Sequence, residues 1–179
     1  MSFSSVSSDY VLLETTTVSS AVSSVTVGNG LLTSSYKFYV IYGQTIIPAS
    51  NGTAGNIRFR TSGGQQTSSY QFYRTWGYSG SSAFNGANST SASEITYALG
   101  QSLSSTHGIS FVSYLPNPSN TSTFKTMRTH QQGYDLSPNV AHNDTTGSWS
   151  GGTDAITGID YYFLTGNISS GVFKLFGVK

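Results

Sequence analysis

The stretch from Ala155 to Gly177, AITGIDYYFLTGNISSGVFKLFG, constrains the fold more than any other part of the chain. In an extended backbone successive side chains point to opposite faces. Ile159, Tyr161 and Phe163 then share one side, and Asp160, Tyr162 and Leu164 the other. After Thr165, Gly166 and Asn167, which are turn formers, Phe173 and Leu175 share a face opposite Val172, Lys174 and Phe176. Period-two alternation of aromatic and β-branched residues specifies strands, because a helix would need its apolar residues three and four apart. The reading is two long closing strands, arranged as a hairpin in the body of a sheet.

The same signal recurs upstream. Residues 36–47 form an apolar run covered on both faces. Residues 56–60 alternate, with Ile57 and Phe59 inward and Arg58 and Arg60 outward. Residues 69–78 place Tyr70, Phe72, Arg74 and Trp76 on one face. Residues 108–115 and 124–130 alternate as well, the former stopped by Pro116 and Pro118, which cannot donate to a ladder. Residues 15–27 read as an edge or irregular strand, and Gly28-Asn29-Gly30 as a turn. Residues 91–105 carry a capping-box match at Ser91 and Glu94, yet Ile95, Tyr97 and Leu99 also alternate, and strand is favoured. Residues 77–93 and 131–153 read as long loops, and residues 1–9 as a flexible Ser-rich arm before one domain at 10–179. Eight to ten short strands and no clear helix specify an all-β chain. At 179 residues, without a Cys–Trp–Cys pattern, a jelly-roll-like β-sandwich is expected rather than an immunoglobulin domain.

Composition then narrows the function. Only 8% of residues are charged, and the net charge is +1. A nucleic-acid binder would show a basic stripe, so that class is not expected. A surface of Ser, Thr, Gly, Asn and Gln repels itself weakly and suits a protein packed against neighbours. Cysteine is absent, so disulfides and thiolate metal sites are excluded. The start lacks a signal-peptide pattern. The longest apolar run, 38–42, is far short of the roughly 20 residues of a membrane helix. A product assembled in the cytoplasm, with no membrane partner, is expected.

Chemistry is sparse. His142 with Asp144 is the one His/carboxylate pair close in sequence, and it reads as a solvated loop pair rather than a metal site. No G-x-S-x-G elbow is present. Seven acids give little material for a carboxylate pair. No enzymatic activity, cofactor or metal is expected. Two candidate contact sets remain. Arg58, Arg60 and Arg74 could form one cationic row facing an acidic partner surface. Trp149 and Tyr78, with Trp76, could stack against the C–H faces of a glycan.

The closing wording Gly166-Asn167-Ile168, then Ser170-Gly171-Val172-Phe173-Lys174-Leu175-Phe176-Gly177, resembles the end of a group of tailed-phage virion structural proteins of decoration or fibre type. In that group the pattern runs G-N-I and S-G-T-x-K-L-Y-G; here Val172 stands for the Thr and Phe176 for the Tyr. Tyr10-Val11-Leu12-Leu13-Glu14, Pro48-Ala49, Ser62-Gly63-Gly64 and Asn117-Pro118-Ser119 look similar to the same group. The resemblance implies a jelly-roll-like domain on a phage particle and carries over no catalytic residue. The expectation is a non-enzymatic capsid decoration protein, a homotrimer in contact with the major capsid protein or other virion proteins. The alternative is a tail-fibre or head-fibre domain binding host glycans. A fibre tip usually follows a long shaft, for which a chain starting at Met1 has no room, and this favours decoration.

Overall fold

The computed structural model describes residues 9–98 and 103–179. The expected arm at residues 1–8, and residues 99–102 of the ambiguous segment, lie outside the described residues. Among the described residues thirteen strands run in chain order: β1 (Tyr10–Val18), β2 (Ser24–Val27), β3 (Phe38–Pro48), β4 (Gly55–Thr61), β5 (Gly64–Gln65), β6 (Tyr70–Tyr78), β7 (Asn85–Ala92), β8 (Ile95–Thr96), β9 (Ile109–Pro116), β10 (Lys125–Tyr134), β11 (Val140–Trp149), β12 (Gly158–Phe163) and β13 (Ile168–Val178). They form two antiparallel sheets. The broad sheet has the order β1-β13-β3-β9-β10-β11-β6-β7; the narrow one has the order β2-β12-β4-β5, with β8 also paired to β4. The all-β sandwich is as expected, divided into eight strands and five.

The closing segment differs from expectation in one respect. β12 pairs with β2 and β4, whereas β13 pairs with β1 and β3. The turn at 164–167 is therefore an arch from one sheet to the other, not a hairpin. Its two apolar faces meet across the core: Tyr161 of β12 lies 5.5 Å, centroid to centroid, from Phe173 of β13 and stacks 5.0 Å from Phe111 of β9. Two facing sheets bury their facing side chains, which is why alternation on both strands was so clean.

Two expected loops are strands. Residues 131–153 contribute the end of β10 and all of β11, paired in continuous register from Lys125↔Trp149 to Tyr134↔Val140. Residues 77–93 contain β7, paired with β6. The reason is polarity. Besides Met127, Ala141 and Trp149, the inward positions of β10 and β11 include Lys125, Thr129, Gln131, Asn143 and Thr145, all buried. With hydroxyls, amides and the Lys125 ammonium inside, the apolar period that marks a strand is broken.

The broad sheet sets opposite chemistries on its two faces. One row of directly paired residues is Phe173, Gly43, Phe111, Gln131, Asn143 and Trp76. It faces the core. Gly43 is required there: a Cβ would lie 2.2 Å from the Phe111 ring. The next row, Lys174, Tyr42, Val112, His130, Asp144 and Thr75, faces outward. On the outer half formed by β1, β13, β3 and β9, Tyr10, Phe176 and Tyr42 stack edge to face, and Phe38 tilts against Tyr114.

Candidate functional site: a cleft on the outer face of the broad sheet

The outward row continues into a cleft of about 790 Å³. Its floor is the outer face of β3, β9, β10, β11 and β6, carrying Tyr42, Ser110, Gln132, His142 and Thr75. Phe84, in the loop before β7, is 74% exposed and its ring sits 6.0 Å from that of His142. Gly77 lies directly opposite His142, and a Cβ there would meet the imidazole Cε1 at 3.3 Å. The missing side chain leaves the ring room to turn toward Phe84. Two smaller hollows adjoin. One of about 460 Å³ shares Phe84, Gln132 and His142 and extends past Ser79 and Ser81. The other, about 310 Å³, shares Thr45, Ser110 and Gln132 and reaches His107 and Tyr134.

A break in β3 shapes the rim. Its pairing with β9 slips between Gly43 and Ile46, and Thr45 takes φ of 49°. A β-branched residue in the left-handed region is strained, and such strain persists only where the surroundings fix it. Here the Thr45 amide donates to Ser110 Oγ at 3.0 Å, which turns Gln44 and Thr45 out to the cleft edge.

Charge in the cleft is balanced internally. Arg128 donates to both Asp144 oxygens, Nε to Oδ1 at 3.2 Å and the terminal nitrogen to Oδ2 at 2.7 Å, while His130 Nδ1 is 3.6 Å away. The guanidinium bonds hold the Asp144 carboxyl below its ordinary value, ahead of the nearby imidazoles. What remains for a ligand is neutral hydrogen-bonding capacity from Gln, Thr, Ser and imidazole, together with one aromatic face.

The residues anticipated from sequence fare differently. Arg58, Arg60 and Arg74 do not form one row. Arg58 and Arg60 belong to β4 of the narrow sheet and Arg74 to β6 of the broad one. Arg58 pairs with Glu94 at 2.8 Å, and its guanidinium lies 5.2 Å from the Tyr162 ring centre. Burial pushes the Glu94 carboxyl up, but hydrogen bonds from Ser93 and Arg58 outweigh it and hold the group below its ordinary value. Arg60 pairs with Asp160 at 2.8 Å. Arg74 packs 4.8 Å from the Trp76 ring centre, and burial lowers its pKa. Arg58 and Arg60 are thus committed to ion pairs within the fold, while Arg74 is held by the Trp76 ring with its Nε and one terminal nitrogen buried without a hydrogen-bond partner among the described residues.

Trp149 is not an exposed platform. It is 3% exposed and belongs to the core, with Gly151 and Gly152 folded over its indole. Tyr78 packs partly against the core and accepts a hydrogen bond from Trp76 Nε1 at 3.1 Å, though it also borders the hollow beside Phe84. His142 and Asp144 lie on one face of β11 rather than in a loop. No group of three metal-ligating side chains occurs among the described residues. No helix is long and apolar enough to cross a membrane among them. Most of the acids are engaged too. Besides those above, Glu14 accepts from the Gly28 amide, and Asp135 closes the β10–β11 turn by accepting from the Ser137 and Asn139 amides.

Sequence reasoning missed Phe84. A lone large aromatic among Ser, Gly, Ala and Asn, with no apolar neighbour to pack with, was the available signal. Comparison with protein-family models, curated proteins and solved structures gave no match.

Proposed function

We propose that this chain is a non-enzymatic structural protein of a tailed-phage particle, a decoration protein seated on the capsid exterior as a homotrimer. The observation that carries this reading is the aromatic half of the broad sheet's outer face. Tyr10 and Leu12, 47% and 54% exposed, adjoin the half-buried rings of Phe38, Tyr42, Tyr114 and Phe176, with Lys174 among them. A contiguous apolar face of this kind marks a protein–protein contact. The weak charge of the whole surface favours close packing, and the likeness of the closing segment to phage virion proteins supplies the setting. A jelly-roll-like ordering of the sandwich belongs to the same reading.

Electron cryo-microscopy of particles carrying the protein tests it. The expected outcome is density at regular positions on the head, lost with Leu12→Asp. Density confined to the tail would overturn it in favour of the second reading, a fibre domain contacting host glycans. The cleft beside Phe84 supports that second reading.

A further inference from the structure

We propose that the cleft on the outer face of β3, β9, β10, β11 and β6 binds a neutral oligosaccharide, with Phe84 as stacking platform and Gln132, His142 and Thr75 as hydrogen-bonding groups. The inference does not depend on where the protein sits on a particle.

Four features of the cleft select this ligand class. The first is charge. Arg128 is consumed by Asp144, so the cleft presents no free guanidinium or ammonium for a phosphate or sulfate, and no unpaired carboxylate for a cation. The second is polarity. A lipid chain would leave the Gln132, His142, Thr75 and Gln44 polar groups without partners, and burying such groups unpaired is costly. Sugar hydroxyls both donate and accept, and match amide and imidazole edges.

The third feature is where the cleft lies. An extended peptide is normally captured by adding a strand to a sheet edge. This cleft lies over strands whose backbone groups are already paired on both sides, β9 with β3 and β10, and β11 with β10 and β6. It can offer side chains but no ladder. The fourth is the exposed ring. Phe84 is 74% exposed yet held beside His142, so it presents an aromatic face at little ordering cost when a ligand arrives. Length argues for a chain of sugars. Four interstrand gaps from β3 to β6, at about 4.8 Å each, span roughly 19 Å, and the two adjoining hollows lengthen the path.

The test uses the full chain on an array of neutral and charged oligosaccharides, followed by titration calorimetry with the best neutral tri- to hexasaccharide. The expected result is saturable binding to at least one neutral oligosaccharide that persists in 0.5 M salt, as a contact without ion pairs should. Phe84→Ala and Gln132→Ala should each weaken it about three- to tenfold, the loss of one stacking or hydrogen-bonding contact. Both positions are exposed, so the thermal midpoint should stay unchanged and separate lost binding from lost folding. Phe124→Ala, 58% exposed and outside the cleft, should leave binding intact. Absence of binding to every neutral oligosaccharide at millimolar concentration would overturn the proposal. So would binding restricted to anionic glycans and abolished by salt, or binding indifferent to Phe84→Ala. Head or tail location in particle images bears on the decoration reading alone.

Discussion

Each sheet carries one Arg–Asp pair built in the same way, and the two end in opposite roles. In the narrow sheet Asp160 of β12 lies opposite Arg58 and is bonded by the diagonal Arg60. In the broad sheet Asp144 of β11 lies opposite His130 and is bonded by the diagonal Arg128. Strand geometry is shared; surroundings are not. The Asp160 side chain is 0% exposed and also accepts from Thr26 and Gln65. The Asp144 side chain is 32% exposed and opens onto the cleft. A carboxylate enclosed by donors is scaffold, because removing it strands several polar groups at once. A carboxylate bonded on one side only sets the charge of a surface.

The largest effect should come from breaking the enclosed pair. Asp160→Ala leaves Arg60, Gln65 and Thr26 without their acceptor. Loss of a buried partner typically costs 3–5 kcal/mol; Arg60 is 38% exposed and can rehydrate, so about 2–3 kcal/mol is expected here. That corresponds to roughly 4–12 °C in thermal midpoint for a chain of this size, read by denaturation.

Acid sharpens the contrast next. Glu94, Asp135 and Asp144 all titrate below their ordinary values of 4.5, 3.8 and 3.8. A depressed carboxyl stabilises the fold above its unfolded value and loses that contribution as pH falls through its folded value. Stability should therefore be flat from about pH 7 to 5 and fall below that. Glu94→Gln should shallow the fall in urea midpoints measured from pH 5 to 3; an unchanged slope would show that the Arg58–Glu94 pair contributes nothing.

A smaller effect of opposite sign is expected inside the broad sheet. Both amide atoms of Gln131 are buried without a hydrogen-bond partner among the described residues. Gln131→Met keeps the side-chain length and removes the desolvation cost, so it should raise stability by about 1 kcal/mol in denaturant titration. The smallest effect belongs to Asp144→Asn. Its partner Arg128 is solvated, and exposed pairs contribute little. The unfolding midpoint should not move beyond error, while the cleft gains net positive charge and its array profile shifts toward anionic glycans.

The contrast also explains what could be read from the sequence. β4, β12 and β13 were legible because Ile57 and Phe59, Ile159 and Tyr161, and Phe173 and Leu175 supply apolar groups at every second position. Most of β10 was legible as well, as the strand read over residues 124–130; its end and β11 were not, since Gln131, Asn143 and Thr145 put polar groups on the inner face. The candidate cleft draws Gln131, Gln132, His142, Asn143 and Asp144 from that missed stretch, beside the legible β3, β6 and β9, so only part of its floor could be placed from sequence. Trp149 was misplaced for the same reason: at the end of a polar strand it looked like a loop residue. The arginines were placed outward correctly at Arg58 and Arg60, but alternation shows only which face a residue takes. It does not reveal that Glu94 and Asp160 wait there.

The arch between β12 and β13 has a consequence for how the molecule forms. β1 is bonded to β13 alone, and β2 to β12 alone among the named strands. Both early strands therefore have no ladder partner until residues 158–178 exist. Contacts spanning nearly the whole sequence are slow to form because long loops must close first. A nascent chain on the ribosome would carry β1 and β2 as unpaired, aggregation-prone segments until β12 and β13 have been made. β1 and β2 thus join the sandwich late, whereas β3, β9, β10, β11, β6 and β7 can pair with one another before β12 and β13 are made.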